Sequence, residues 1–217
     1  RNFHRNTVLL PPFFGTLPEA RTGQKPHNSE LVLAYAGSPF NKEQFPLLFR
    51  SLLSLPEVLP RPIRFRIVGL DEAQVDAMLE ECAAMALRQH SSIVIEALGR
   101  TDVATARRTV ANADFLVVLR NRTLRLNCGF PSKVAESYRI GTAIISNRYS
   151  DMATYLKHTV NGFLIETEAV EELAQVLLHC TELTPEMMER LAHQALATGE
   201  SCFSPHAVAN RLERMLA

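Results

Sequence analysis

Two short segments carry side chains suited to holding an anion. In Gly129-Phe130-Pro131-Ser132-Lys133-Val134-Ala135-Glu136, glycine and proline lead into residues that suit the start of a helix. The N–H groups exposed at a helix start, at the positive end of its dipole, form an anion site. Ser132 can cap that helix or give its hydroxyl to a phosphate. Lys133 adds a full positive charge where a diphosphate would lie. Glu136, one turn further in, can accept hydrogen bonds from both hydroxyls of a ribose. A plainer arrangement suits the same residues: Ser132 as a cap only, with Lys133 and Glu136 as an exposed i,i+3 surface pair. From the residues alone, both fit.

The second segment is Gly37-Ser38-Pro39-Phe40-Asn41-Lys42. A glycine there lets the backbone approach a ligand closely, and Lys42 can reach a phosphate. The spacing is neither G-x-G-x-x-G nor a P-loop, which argues against a dinucleotide cofactor or a Walker-type nucleotidase. Leu98-Gly99-Arg100 can give backbone contacts to a base and a basic side chain, or be a turn glycine with a surface arginine. Glu166 reads as a solvated residue ahead of a helix. Arg120, Arg122 and Arg125 read as a wet basic loop, placed where they can also face a phosphate. Asp71-Glu72 and Glu171-Glu172 read as acids favoured by helix starts. No Ser-His-Asp set or carboxylate pair stands out, so no catalytic residue is assigned.

These segments need a scaffold, and the chain supplies a regular one. Strands are expected at 31–36, 64–69, 92–97, 114–119, 143–146 and 162–165. Helices are expected at 45–55, 71–89, 102–111, 132–140, 151–157, 170–180, 185–196 and 206–216, with Gly141 stopping the fourth. Val8-Leu9-Leu10 reads as a short strand ended by Pro11-Pro12, and residues 16–29 as a linker. Residues 1–30 thus form a lead-in and linker, and 31–217 the domain. The strands are continuous apolar runs, which implies burial on both faces. Alternation of this kind predicts an α/β, Rossmann-like, doubly wound, mainly parallel six-stranded sheet with helices on both faces. Ligands on such sheets bind beyond the carboxyl ends of the strands, where both anion segments fall.

Composition narrows the field. The 217 residues carry 23 acidic and 23 basic side chains, so no net charge draws the chain to nucleic acid or anionic lipid. No apolar run is long enough to cross a bilayer as a helix. The four cysteines, Cys82, Cys128, Cys180 and Cys202, and the seven scattered histidines match no metal-ligand spacing, so no metal is expected. The cysteines read as reduced thiols of a cytoplasmic protein. The chain starts at Arg1 without Met or a signal-like apolar segment, and reads as a piece of something longer.

The order of these features resembles the C-terminal, nucleotide-sugar-binding domain of GT-B glycosyltransferases, most closely the retaining family 4. The resemblance spans roughly residues 30–217. It is carried best by Gly129-Phe-Pro-Ser-Lys-Val-Ala-Glu-Ser-Tyr-Arg-Ile-Gly-Thr-Ala-Ile-Ile-Ser146, by Asn161-Gly-Phe-Leu-Ile165, and by the loop from Gly37 to Lys42. It implies that Glu136 binds the ribose, that Ser132, Lys133 and Val134 form the diphosphate-facing turn, and that Lys42 contacts phosphate. The donor-binding set expected is therefore Gly37, Ser38, Lys42, Gly99, Arg100, Ser132, Lys133, Val134 and Glu136. The chain departs from the family pattern at Cys128, where a second carboxylate is common, and at Ser38, where arginine is common.

The resemblance implies transfer of a hexose, with retention and without a metal cofactor, from a UDP- or GDP-linked sugar to a saccharide or lipid-linked acceptor. The acceptor would bind a missing N-terminal domain of the same parent, and the isolated chain is expected to be inactive. The parent is expected in the cytoplasm and is suited to peripheral attachment at a membrane. Two other readings remain: a non-catalytic Rossmann-like module for a nucleotide or partner, and a GT-B-shaped sugar-nucleotide epimerase.

Overall fold

The computed structural model describes residues 9–18, 29–38, 42–79, 81–123 and 128–216, with 81–84 by backbone alone. The elements run β1 (Leu31–Ala36), α1 (Phe45–Leu53), β2 (Ile63–Val68), α2 (Glu72–Met78), α3 (Glu81–Gln89), β3 (Ile93–Ala97), α4 (Val103–Ala111), β4 (Phe115–Val118), α5 (Ser132–Ile140), β5 (Ala143–Asn147), α6 (Met152–Tyr155), β6 (Gly162–Ile165), α7 (Val170–Glu182), α8 (Pro185–Phe203) and α9 (Pro205–Leu216). The six strands form one sheet in the order β3-β2-β1-β4-β5-β6, and every pair is parallel. The chain builds outward from β1 to β3, then returns to β4 beside β1 and builds the other way. The order reverses between β1 and β4, which opens a crevice above their carboxyl ends.

β1, β4, β5 and β6 are buried along almost their whole length, as continuous apolar runs require. The β2–β3 edge differs from the sequence expectation, because one face there is left half open. Arg64 and Arg66 stand on it, and Val94, in register with Arg64, is 44 % exposed. The charges are matched within the face. Arg64 gives Glu30 two hydrogen bonds of 2.7 and 2.8 Å and also pairs with Glu96, which Arg66 reaches at 3.0 Å.

The expected helix 71–89 is two helices. Asp71 caps the first, accepting from the Gln74 N–H at 2.8 Å while the Gln74 side chain accepts from Asp71 N–H. Leu79 then turns extended and packs on the core, so that α2 and α3 meet β3 separately and α3 also reaches α1. Helix α8 runs seven residues beyond its expected end at Leu196, through Gly199. A Cβ at Gly199 would overlap the Tyr138 carbonyl of α5, so this glycine permits a close helix crossing and does not end the helix. Leu9 and Leu10 are irregular and exposed, not strand, and Val8 lies outside the described residues. The lead-in is tied down further on, where Phe14 N–H donates to Phe203 O at 2.9 Å and Arg139 donates to Gly15 O at 3.2 Å. Among the described residues no helix is long and apolar enough to cross a membrane.

Candidate functional site

The crevice between β1 and β4 is floored by glycine turns. Gly37 follows β1 with φ +142° and donates its N–H to Val68 O at 3.0 Å. Gly69 follows β2 with φ +105°, and a Cβ there would overlap the Gly37 carbonyl. Gly69 N–H in turn donates to Gly99 O at 2.7 Å, so the ends of β1, β2 and β3 form one connected rim. Both anion segments found in the sequence border this rim. Residues 39–41 of the first, and Arg125 of the basic loop, lie outside the described residues.

The chain then crosses the crevice. Gln44 N–H donates to Leu119 O at 2.8 Å and Asn121 N–H to Lys42 O at 3.1 Å, which makes an antiparallel bridge between Glu43 and Arg120. Asn147, at the end of β5, holds the far side: its carboxamide accepts from Arg120 N–H at 2.9 Å and donates to Arg120 O at 2.7 Å. The bridge turns the Glu43 and Arg120 side chains inward, leaving them 4 % and 14 % exposed, while Lys42 stays on the surface.

Lys133 enters this space from the first turn of α5. Its Nζ donates to Tyr35 Oη at 3.0 Å and to Glu43 Oε1 at 3.1 Å, and lies 4.1 Å from the centre of the Tyr35 ring. It also fills the space beside Gly37, where a Cβ would come within 2.9 Å of Nζ. Burial pulls the Lys133 ammonium below its ordinary range, and the Glu43 carboxylate opposes that shift. Burial raises the Tyr35 hydroxyl, and the Glu43 charge adds to the effect. Arg120 Nε lies 3.9 Å from Glu43 Oε1, with its guanidinium carbon 5.7 Å from the centre of the Tyr149 ring. Among the described residues, three of the buried polar atoms without a hydrogen-bond partner lie here: Glu43 Oε2, Arg120 Nε and Tyr149 Oη.

Helix α5 is held from behind. Phe130, just before it, packs edge-on to Tyr155 with ring centres 5.1 Å apart and stacks on Phe203 of α8 at 5.8 Å. Asn161 donates to Tyr155 O at 2.9 Å and to Thr198 Oγ1 at 2.8 Å, and accepts from Lys157 N–H at 2.8 Å. The Asn-Gly turn before β6 therefore ties β6 to the helices that support α5.

The remaining expected residues are placed as follows. Ser132 is exposed and does not cap α5; Pro131 is the cap residue, and no side chain caps that end. Proline fits because its fixed φ suits the position and its missing N–H loses nothing there. The Val134 side chain is in the core, and its N–H donates to Pro131 O at 3.1 Å. Lys133 and Glu136 do not form the exposed i,i+3 pair that the plainer reading offered. Each turns to another element, Lys133 to Glu43 and Glu136 to Arg107 of α4, which donates to Glu136 Oε1 from Nε at 3.2 Å and Nη2 at 2.8 Å. Ser38 and Arg100 are exposed on the rim. Of the basic loop read as wet, Arg120 is buried because the bridge turns it in, while Arg122 pairs with Glu168 at 3.4 Å on the surface. Glu166 stays half exposed in a pair with Arg148. Glu171 lies in the first turn of α7, and Glu172 accepts from the Glu166 and Thr167 N–H groups, both at 2.8 Å. Tyr35, Glu43, Arg107 and Asn147 were not expected. Only Tyr35 gave a signal, a hydroxyl on a buried strand's last turn toward the crevice.

A family model described as glycosyl transferases group 1 matches residues 30–182. No curated protein matches the sequence. Among solved structures, the sucrose-phosphate synthase of Thermosynechococcus elongatus is 14 % identical with a TM-score of 0.71, matching 96 % of this chain and 51 % of its own. WaaG, a glycosyltransferase involved in lipopolysaccharide biosynthesis, is 21 % identical with a TM-score of 0.66, over 96 % of this chain and 55 % of its own. HepE of Anabaena, solved in complex with UDP and glucose, is 17 % identical with a TM-score of 0.65, over 87 % of this chain and 47 % of its own. At these identities the likeness is one of fold. The chain spans about half the length of each of these structures.

Proposed function

The chain belongs to the group 1 glycosyl transferases, and on that premise we propose that it is the donor-binding half of a retaining enzyme that moves a hexose from a UDP- or GDP-linked sugar to a saccharide or lipid-linked acceptor. The observation that carries this is the position of Lys133. It sits in the first turn of an uncapped helix and points into the crevice where the strand order reverses. The N–H groups at that helix start and the Lys133 ammonium favour a diphosphate, and they stabilise the charge that grows on it as the sugar leaves. Lys42 is within the same rim, and Glu136 on the next turn of α5 faces the ribose. Gly99 and Arg100 border the side on which the base would lie. HepE, of the same fold, binds UDP and glucose, which supports the assignment of the ligand class.

The acceptor falls to a further domain of a longer, cytoplasmic parent that lies against a membrane when its acceptor is lipid-linked. Without that domain the 217-residue chain binds donor but does not transfer sugar. The reading includes no metal cofactor. Calorimetry with UDP, GDP and their sugars tests the donor site. Failure of all of them to bind at millimolar concentration overturns it.

A second reading, a non-catalytic nucleotide-binding or interaction module, is favoured by Cys128 in place of a carboxylate and by the Glu43 carboxylate on Lys133. Turnover of a nucleotide sugar by the full-length parent decides against it.

A further inference from the structure

We infer that the Glu43 carboxylate is a built-in occupant of the anion position, held against Lys133 and Arg120 and displaced when a diphosphate enters. The inference rests on the donor-binding reading and adds to it a residue that sets how tightly charged ligands are held.

Three features separate Glu43 from a purely structural ion-pair partner. The first is incomplete satisfaction. Glu43 Oε1 meets Lys133 Nζ at 3.1 Å, yet Oε2 is buried without a hydrogen bond. Arg120 Nε, 3.9 Å from Oε1, is also buried without one. A buried ion pair is worth keeping for stability only when its remaining lone pairs and protons are taken up, and here a donor and an acceptor are both left over. Two cations thus face one carboxylate, with hydrogen-bonding capacity unused on each side.

The second is location. The carboxylate lies at the switch point of the sheet, against the side chain that the start of α5 sends into the crevice. A phosphate oxygen approaching Lys133 and Arg120 meets a negative charge already there. In a buried site two such anions repel strongly, so they do not share it. The third is freedom to leave. The backbone of Glu43 is pinned on both sides, by Gln44 N–H to Leu119 O and by Asn121 N–H to Lys42 O. Among the described residues, its side chain is held by the ion pair with Lys133 and by its Tyr35 neighbour. Rotation of the side chain alone vacates the position and leaves the bridge intact.

Two consequences follow. Before a diphosphate enters, Glu43 seats Lys133 and opposes the pull of burial on its ammonium. On binding, only a ligand with enough negative charge to replace the carboxylate gains the full benefit of Lys133 and Arg120. Glu43 therefore discriminates by ligand charge and does not touch recognition of the base.

The test is calorimetry of the 217-residue chain and its Glu43→Gln and Glu43→Ala variants with inorganic pyrophosphate, UDP and uridine. Both variants should bind pyrophosphate and UDP about tenfold more tightly, with uridine unchanged. Equal or weaker binding of pyrophosphate by folded variants overturns the inference, as does a gain for uridine equal to that for UDP. Binding of UDP by the unsubstituted 217-residue chain without a gain in either variant overturns this inference alone. Absence of binding to all three proteins overturns the donor-binding reading with it. In the unsubstituted chain, saturating pyrophosphate should also move the 13C resonance of the Glu43 carboxyl. A resonance that stays in place overturns the displacement, whatever the variants do.

Discussion

Arg107 of α4 places two hydrogen bonds, 3.2 and 2.8 Å long, on a single carboxylate oxygen of Glu136 on α5. The guanidinium fixes the carboxylate's orientation and leaves Oε2 for a diol. On the donor-binding proposal, Arg107 is thus a positioning residue and Glu136 the proposed ribose contact. Glu136→Gln should weaken UDP about tenfold, the loss of one charge-assisted hydrogen bond, and leave 2′,3′-dideoxy-UDP unchanged. Arg107→Met should show a smaller loss with the same dependence on the ribose hydroxyls. Calorimetry with the two nucleotides checks both; equal losses for UDP and its dideoxy analogue would exclude a ribose role.

The Lys133–Glu43 pair predicts a stability asymmetry. Among the described residues, Lys133→Met leaves the buried Glu43 carboxylate one ion-pair partner, Arg120 Nε at 3.9 Å, and should cost about 3 kcal/mol in urea unfolding. Adding Glu43→Gln should recover most of that, because the uncompensated charge is gone. The same Lys133→Met change should weaken UDP far more than uridine. A double variant no more stable than Lys133→Met would show that the carboxylate is not the source of the cost.

The parts of the fold that the sequence made legible are those bounded by strong local signals. β1, α5 and β6 have the expected limits because each is an apolar or periodic run next to glycine or proline. The break at Leu79 carried no such mark: no glycine or proline lies between Asp71 and Gln89, and tertiary packing against the core ends the helix. Helix α8 likewise outruns its expected end at Leu196, because Gly199 permits a close helix crossing. At the site, Lys133 and Glu136 were legible because one helix start carries both. Their partners, Glu43 and Arg107, were not. Glu43 and Arg120 are far apart in the chain and meet only because the antiparallel bridge spans the reversal between β1 and β4. A bridge of that kind leaves no period in the sequence.

The rim glycines differ in what blocks a side chain, and this orders their substitutions. At Gly69 a Cβ meets the Gly37 carbonyl, which is backbone, while at Gly37 it meets the end of the Lys133 side chain at 2.9 Å. Both positions also have φ in the range that favours glycine, worth about 1–3 kcal/mol. Gly69→Ala should therefore destabilise more than Gly37→Ala, whereas Gly37→Ala should do the greater harm to pyrophosphate binding by moving the ammonium. Thermal unfolding and calorimetry on the two variants check the reversal of order.

Acid should release the pairing on the open face of the sheet. The Arg64 guanidinium, bonded to both oxygens of Glu30, holds that carboxyl below its ordinary value of 4.5. A carboxyl with a lowered pKa contributes stability in full above pH 4.5 and loses it as the pH falls below that value. The pair is a third exposed on the Glu30 side, so the contribution should be well under about 1 kcal/mol and should shrink with salt. Urea midpoints of the chain and Glu30→Gln should differ at neutral pH and converge as the pH falls below 4.5. A gap that widens on acidification would contradict the sign.

The crossing of α5 by α8 is the contact on which the site's geometry depends most. α5 carries Lys133 and Glu136, and α8 packs on its back through Gly199 and through Phe203, whose ring stacks on Tyr138 with centres 6.0 Å apart. Gly199 has no room for a methyl group: its Cβ would overlap the Tyr138 carbonyl and crowd Arg139 N at 2.8 Å. Backbone cannot yield as a side-chain end can, so the helices must separate. Overpacking of this kind costs about 1–3 kcal/mol, more than alanine gains as a helix former over glycine, about 1 kcal/mol. Gly199→Ala should thus destabilise, against the helix-propensity trend. Because the displaced helix is the one that aims Lys133, it should also weaken UDP binding from a position remote from the ligand. Gly199→Ser should be worse on both counts. Urea unfolding and calorimetry measure the two effects on the same variants; a stabilised Gly199→Ala protein would mean that the helices do not cross as closely as the structure has them.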